Sequence, residues 1–363
     1  MERLTALRDR GSGSTKALAS EMEALKYRLD EMIKFDKFDP RNVCDFGELD
    51  NYHEVTAFRV HLGTIHAIRV LSPDRFLSCG NDGTVKLTTC VPENGWISKT
   101  LMSCKSEVTC LQVAPDNTIF AGSKDGSIYV LQQSSAEKWD LAASFKEQVR
   151  ISCLQLYPGP QLFVGISKEF AKKGTTLISY NKNSKGNWIR EELPFQDSIN
   201  CMQMTAGGRL YTGDERGKII LWKRDQSGEW LQTGIKELKN NVMCLAVRGE
   251  KCVVYGDCDG RIGLGLEDEN GKWNNLGLPS LGEKTFCLQA VSGDRMVSSG
   301  AEGDIDIWQI DNSHKMTWRS RNYPYPYCLH ALPGGEIFSG HHDGNVVIWE
   351  GEDNEAMEED LVA

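Results

Sequence analysis

A chain of 363 residues, 40% hydrophobic and 25% charged, has the balance of a soluble globular protein, with room for two ordinary domains or one large ring. No apolar run reaches the roughly 18 residues that a membrane span needs, and a net charge of −10 argues against the basic face of a nucleic-acid binder. The charge is unevenly placed: residues 350–363 carry seven acids and no base, leaving about −3 for the rest.

The opening segment, MERLTALRDRGSGS, lacks the long apolar core of a secretory signal. With twelve cysteines and no N-glycosylation sequon, this predicts reduced thiols and a cytoplasmic location. Over residues 14–34, Leu18, Met22, Leu25, Leu29 and Met32 stand at alternating steps of four and three, the seam of a short coiled-coil-like helix. Ser14 is placed to cap it and Asp39-Pro40 ends it. At roughly two to three heptads it is short for a lone coiled coil. Residues 14–34 therefore either self-associate or meet a partner helix, or they pack on the remainder of the chain or fray.

Next comes HEVTAFRV, His53–Val60, an alternating strand with no neighbour to pair with. Beyond it Cys110, Cys153, Cys201, Cys244, Cys287 and Cys328 recur at separations of 43, 48, 43, 43 and 41 residues. A period near 43 suits one four-stranded propeller blade. A glycine follows each cysteine, at Gly122, Gly165, Gly213, Gly256, Gly300 and Gly340, and Gly80 marks an earlier unit in which Ala67 takes the cysteine position. That makes seven units. A second glycine follows in most, four times after aspartate (Asp82, Asp125, Asp259, Asp343), and Asp-Gly between alternating apolar runs predicts a type I′ hairpin turn. Runs such as KIILW, DIDIW and NVVIW carry the strand period, and Trp96, Trp139, Trp188, Trp230, Trp273 and Trp318 lead a fourth strand. The last unit lacks this fourth strand, so His53–Val60 is expected to supply it and close the ring, removing its exposed edges. The acidic residues 351–363 read as a disordered tail.

On these residues the chain resembles the WD40 family across about residues 50–350. The resemblance implies an all-β fold, a seven-bladed β-propeller closed by an N-terminal strand and preceded by a short α-helix, with the cysteine strands innermost. Domain boundaries follow as 1–50 (helix and linker), 51–350 (propeller) and 351–363 (tail). The family's His–Ser–Asp–Trp network would be altered here. Lys223, Gln309 and Glu350 follow the strand-ending Trp222, Trp308 and Trp349, and no Gly-His pair opens a unit.

Neither metal nor cofactor nor catalytic residue is assigned. Six thiols on separate blades do not converge as zinc ligands do, and they read as small fillers of the narrow blade ends. His341-His342 reads as a turn-exposed pair pointing to opposite faces. Two loops are candidate partner sites. In Arg321–Tyr327, two prolines stiffen a display of Tyr323, Tyr325 and Tyr327, which either meet a partner or pack on Pro324 and the adjacent blade. In the third unit SKEFAKKGTT replaces the Asp-Gly turn, and Phe170 with Lys172 and Lys173 forms either a binding finger or a tolerated insertion.

The function that the resemblance implies is a non-catalytic scaffold for protein–protein interaction through one propeller face, without nucleic acid or membrane. Its alternatives are a substrate adaptor for a ubiquitin-ligase-type complex, docked through residues 1–50, and a propeller enzyme or small-ligand binder using the central channel. Against the last, the inner strands offer no evident cluster of carboxylates, histidines or arginines.

Overall fold

The computed structural model describes residues 52–135, 138–157, 161–167, 175–278, 283–291, 295–309, 315–319, 324–332 and 335–351. The helix expected over 14–34 and the acidic tail lie outside them. Among the described residues, twenty-eight strands form seven antiparallel four-stranded sheets. The first strands of the blades are Ile65–Ser72, Val108–Val113, Ile151–Tyr157, Ile199–Met204, Val242–Arg248, Thr285–Ala290 and Pro326–Ala331. Each touches the next and the seventh touches the first, so they close a ring and are innermost. The protein is a seven-bladed propeller.

The closure is the one the sequence predicts. Tyr52–Arg59 pairs antiparallel with Asn345–Gly351, from Tyr52 opposite Gly351 to Arg59 opposite Asn345, with a bulge between Glu54 and Thr56. The chain then turns over the last blade, where the Val60 and His61 N–H groups both donate to the Gly344 carbonyl at 2.9 and 3.0 Å.

The core lies between blades, in seven apolar clusters that each span one adjacent pair. This explains the apolar density of the third strands. In Lys218–Arg224, Ile219 and Leu221 pack toward the fifth blade while Ile220 and Trp222 pack toward the third, and all four are buried. A strand covered on both faces needs side chains of both parities to be apolar. Four of the fourth-strand tryptophans are wedges across the same boundaries. Trp230 stands edge-on to Phe163 of the preceding blade at 5.2 Å, Trp188 to Phe120 at 6.0 Å, Trp273 to Tyr211 at 6.0 Å and Trp96 to Phe338 at 6.2 Å.

The cysteine and glycine columns resolve into cross-strand pairs, and one turn reading needs correction. The cysteine column faces glycine at Cys110–Gly122, Cys153–Gly165, Cys201–Gly213, Cys244–Gly256 and Cys328–Gly340. In the first and sixth blades the glycine falls one place later. Ala67 faces Cys79 and Cys287 faces Ser299, while Gly80 and Gly300 face Ile65 and Thr285. The reason is space: a Cβ at Gly213 would stand 2.7 Å from the Cys201 sulfur and 2.5 Å from Val242, so one small and one medium side chain must share the site. In the first blade the thiol has moved across to the second strand, where Cys79 is fully buried.

The Asp-Gly turns are not type I′. Only the glycine has positive φ (+72° at Gly83, +89° at Gly126 and Gly344), and its N–H donates to the carbonyl three residues back, as from Gly83 to Gly80 at 3.1 Å. They are type I turns followed by a left-handed glycine. Glycine is demanded twice over, because a Cβ at Gly83 would stand 2.4 Å from the Cys104 carbonyl oxygen of the next blade's entry loop.

Candidate functional site on the loop face

The entry loops before the inner strands and the turns between second and third strands are stitched onto one face by backbone bonds. The residue after each second strand, or at its end, donates to the entry loop of its own blade: Asn81 to Thr64, Lys124 to Glu107, Ser167 to Arg150, Glu215 to Ser198, Cys258 to Asn241, Ala301 to Lys284 and His342 to Tyr325, at 2.9–3.1 Å. The turn glycine carbonyls then accept from the following loop, as Gly83 from Cys104 and Gly126 from Glu147, both at 2.9 Å. Where they are described, the loops are thus tied to one another along the rim by backbone hydrogen bonds.

Two buried histidines anchor this rim. His61 Nδ1–H donates to the Asp82 carboxylate at 3.0 Å, and its Nε2 accepts from the Ser78 hydroxyl at 2.8 Å. The carboxylate can only accept, which fixes the tautomer. Burial pushes Asp82 up, but hydrogen bonds from His61, Thr84 and the Leu62 N–H outweigh it and hold the carboxyl down at about 2. Thr88 stands where other blades carry the strand-ending tryptophan, and bonds to Ser98 at 2.9 Å instead. In the seventh blade Trp349 Nε1–H donates to Ser339 (2.9 Å), Ser339 can donate to His341 Nε2 (2.8 Å), and His341 Nδ1–H donates to the Pro324 carbonyl. Trp222 with Thr212 and Trp308 with Ser298 repeat only the tryptophan end, at 3.0 and 2.8 Å. The network implied by the family resemblance is therefore present in parts. The reading of His341-His342 as a turn-exposed pair holds for His342 alone, since His341 is fully buried.

The His341–Pro324 bond reaches into the tyrosine loop. With the His342 N–H on the Tyr325 carbonyl at 3.1 Å, it fixes the backbone on both sides of the Tyr325 side chain. Tyr325 is 51% exposed, its ring edge-on to His342 at 6.4 Å. Tyr327 does what the alternative reading expects of it: it stacks on Phe286 of the adjacent blade at 4.5 Å and meets the His66 ring at 5.8 Å. Lys284 lies over Phe286 at 5.6 Å, and His66 Nε2 contacts Asn81 Oδ1 at 2.5 Å. The result is an aromatic ledge across the sixth, seventh and first blades, with Tyr325 and the 73% exposed Leu62 standing free on the same face. Tyr323, Phe170, Lys172 and Lys173 lie outside the described residues.

His66 and Phe286 were not singled out from the sequence, though a signal exists. The residue just before the cysteine position runs His66, Thr109, Ser152, Asn200, Met243, Phe286, Tyr327, varying freely inside an otherwise uniform column. Where polar, some members clip the next blade, as Thr109 to the Ile151 carbonyl (2.6 Å) and Asn200 to Val242 (3.0 Å).

A separate open cleft of about 540 Å³ lies between Pro194–Asp197 and the outer strands of the fourth blade. Its carboxylate, Asp197, is already paired with Arg216 at 3.0 Å and Lys218 at 3.7 Å, so no convergent polar set remains. Among the described residues no group of three His, Cys, Asp or Glu side chains is arranged to hold a metal, and no helix is long and apolar enough to cross a membrane.

The histidines make a pH prediction. Burial lowers the pKa of His61, His66 and His341, and burial with the nearby Arg69 charge lowers His330 to about 3. In the unfolded chain these imidazoles protonate near 6.5. Below that pH the unfolded state binds more protons than the folded state, so stability falls as pH drops from about 6.5. His330 alone contributes a loss of about 2 kcal/mol between pH 7 and pH 5. Urea midpoints measured across that range should therefore decline steadily; a flat profile would show that these imidazoles are solvated.

A family model described as "WD domain, G-beta repeat" matches residues 95–131, which run from the outer strand of the first blade to the third strand of the second. No curated protein matches the chain. Among solved structures, the WD40 beta propeller domain of Doa1 is similar at 15% identity and TM-score 0.70, covering 84% of this chain and 98% of that one. At that identity the likeness is one of fold.

Proposed function

We propose, on the premise of a seven-bladed propeller carrying a WD40-type repeat, that the chain is a non-catalytic cytoplasmic scaffold whose loop face binds a protein partner. The fold generally mediates protein–protein interactions. The observation that carries the assignment to one face is Tyr325, half-exposed on a backbone held from both sides, above the Phe286–Tyr327–His66 ledge. An aromatic side chain on a pre-ordered loop offers contact area at little ordering cost. Leu62 extends the same surface with apolar area.

The test is quantitative affinity capture from the native host with wild type, Tyr325→Ala, and Leu141→Ala as a control on the outer edge of the second blade. Tyr325→Ala is expected to weaken capture of a defined partner by about 5- to 30-fold, the effect of one interface hot spot. Its thermal unfolding should stay within a degree or two of wild type. Equal loss with Leu141→Ala, or unaltered capture by Tyr325→Ala, would remove the assignment. The adaptor reading rests on residues 1–50 and self-association on residues 14–34. They predict that a 51–363 truncation loses ligase subunits or loses dimers, respectively.

A further inference from the structure

The inner strands carry a second column, two residues beyond the cysteine position and on the same face: Arg69, Gln112, Gln155, Gln203, Ala246, Gln289 and His330. In two blades the glutamine is an inter-blade clip. Gln112 donates to the Leu154 carbonyl at 3.0 Å, and Gln289 both donates to the Ala331 carbonyl (2.9 Å) and accepts from its N–H (2.8 Å). The adjoining seventh and first blades place His330 and Arg69 at this level, and neither clips. Arg69 reaches only the Ile68 carbonyl of its own strand, at 2.8 Å, and no described carboxylate pairs with it. His330 makes no hydrogen bond to a described residue. The guanidinium nonetheless acts on Cys79, Cys110, Cys287, Cys328 and His330, which belong to the first, second, sixth and seventh blades. Arg69 belongs to the innermost strand of its blade, which touches the first strands of the second and seventh blades.

A guanidinium drawn partly out of water without a counter-ion is costly. Arg69 has five donors in a rigid fork, and only the bond to the Ile68 carbonyl is made to a described residue. On the adjoining inner strand His330 brings an imidazole N–H.

From this pairing we infer that the central channel, at the level of Arg69 and His330, binds a small oxyanion, a carboxylate or a phosphate, gripped by the Arg69 fork with His330 as second donor. This site is independent of the docking surface on the loop face, and either can fail without the other. The two residues come from opposite ends of the chain, and their inner strands become neighbours only when the ring closes.

Titration calorimetry with inorganic phosphate and with malonate, at ionic strength matched by chloride, tests it and separates the two oxyanion classes. Wild type should bind at least one of them saturably at a single site. Arg69→Gln and His330→Gln install the residue that four other blades carry at this position, so both variants are expected to fold. Arg69→Gln should weaken binding by about 10-fold or more, as loss of a bidentate charge-assisted contact does, and His330→Gln by a few-fold. In proton NMR one imidazole resonance should shift on titration and be missing from His330→Gln. Absence of saturable binding to wild type for both anions overturns the inference, as does affinity unchanged in Arg69→Gln.

Discussion

Replacing Gly344 with alanine should destabilise the ring by about 3 kcal/mol, whereas the same change at Gly228 should cost only about 1 kcal/mol. Both glycines have a φ of +89°, so the backbone strain is shared. They differ in what surrounds them. A Cβ at Gly228 meets nothing within 4 Å, while at Gly344 it would lie 2.0 Å from the His61 carbonyl oxygen and 3.0 Å from that of Gly63. Those atoms are backbone and cannot swing aside. They also belong to the segment that fastens the last blade, since Gly344 accepts the Val60 and His61 N–H groups. Urea unfolding of the two variants isolates the worth of the clasp. Equal losses would mean that the close approach at the ring's seam contributes nothing.

Trp230→Ala should cost about 3–5 kcal/mol, the range for deleting a large aromatic from a packed site, with the lower end expected because the ring is partly exposed. Its indole stands 5.2 Å from Phe163 and 5.9 Å from Tyr157 across the blade boundary, and Arg224 covers it at 5.0 Å. The cavity would open between blades, where the core lies, and a blade touches only its neighbours. Leu231→Ala, one residue along and 49% exposed, should stay within about 0.5 kcal/mol. Comparable losses from both would contradict the wedge role drawn for Trp230 and its counterparts Trp96, Trp188 and Trp273.

The expectations that held are those that depend on neighbours in sequence. The spacing of Cys110, Cys153 and their successors reports a unit length, the glycine turns report where strands reverse, and a missing fourth strand beside an unpartnered His53–Val60 reports closure. Each follows from local geometry, with side chains alternating along a strand and tight turns demanding glycine. The turn type lies beyond sequence because Asp-Gly is compatible with more than one hairpin, and only the backbone angles distinguish them. The glycine column slipped by one in the first and sixth blades because sequence alignment sees residue identity, whereas packing sees the summed volume of Ala67 with Cys79 or Cys287 with Ser299.

Sequence alone thus settled the repeat, the blade number and the way the ring shuts, since periodic patterning and turn chemistry are written within single units. Tertiary structure alone decided what meets across units. It put the His341 side chain inside, on the Pro324 carbonyl beneath an exposed Tyr325, stacked Tyr327 on Phe286, and set Arg69 and His330 on adjoining inner strands. Those contacts join residues of different blades, and no local rule of alternation or turn geometry specifies which side chains a closed ring will set face to face.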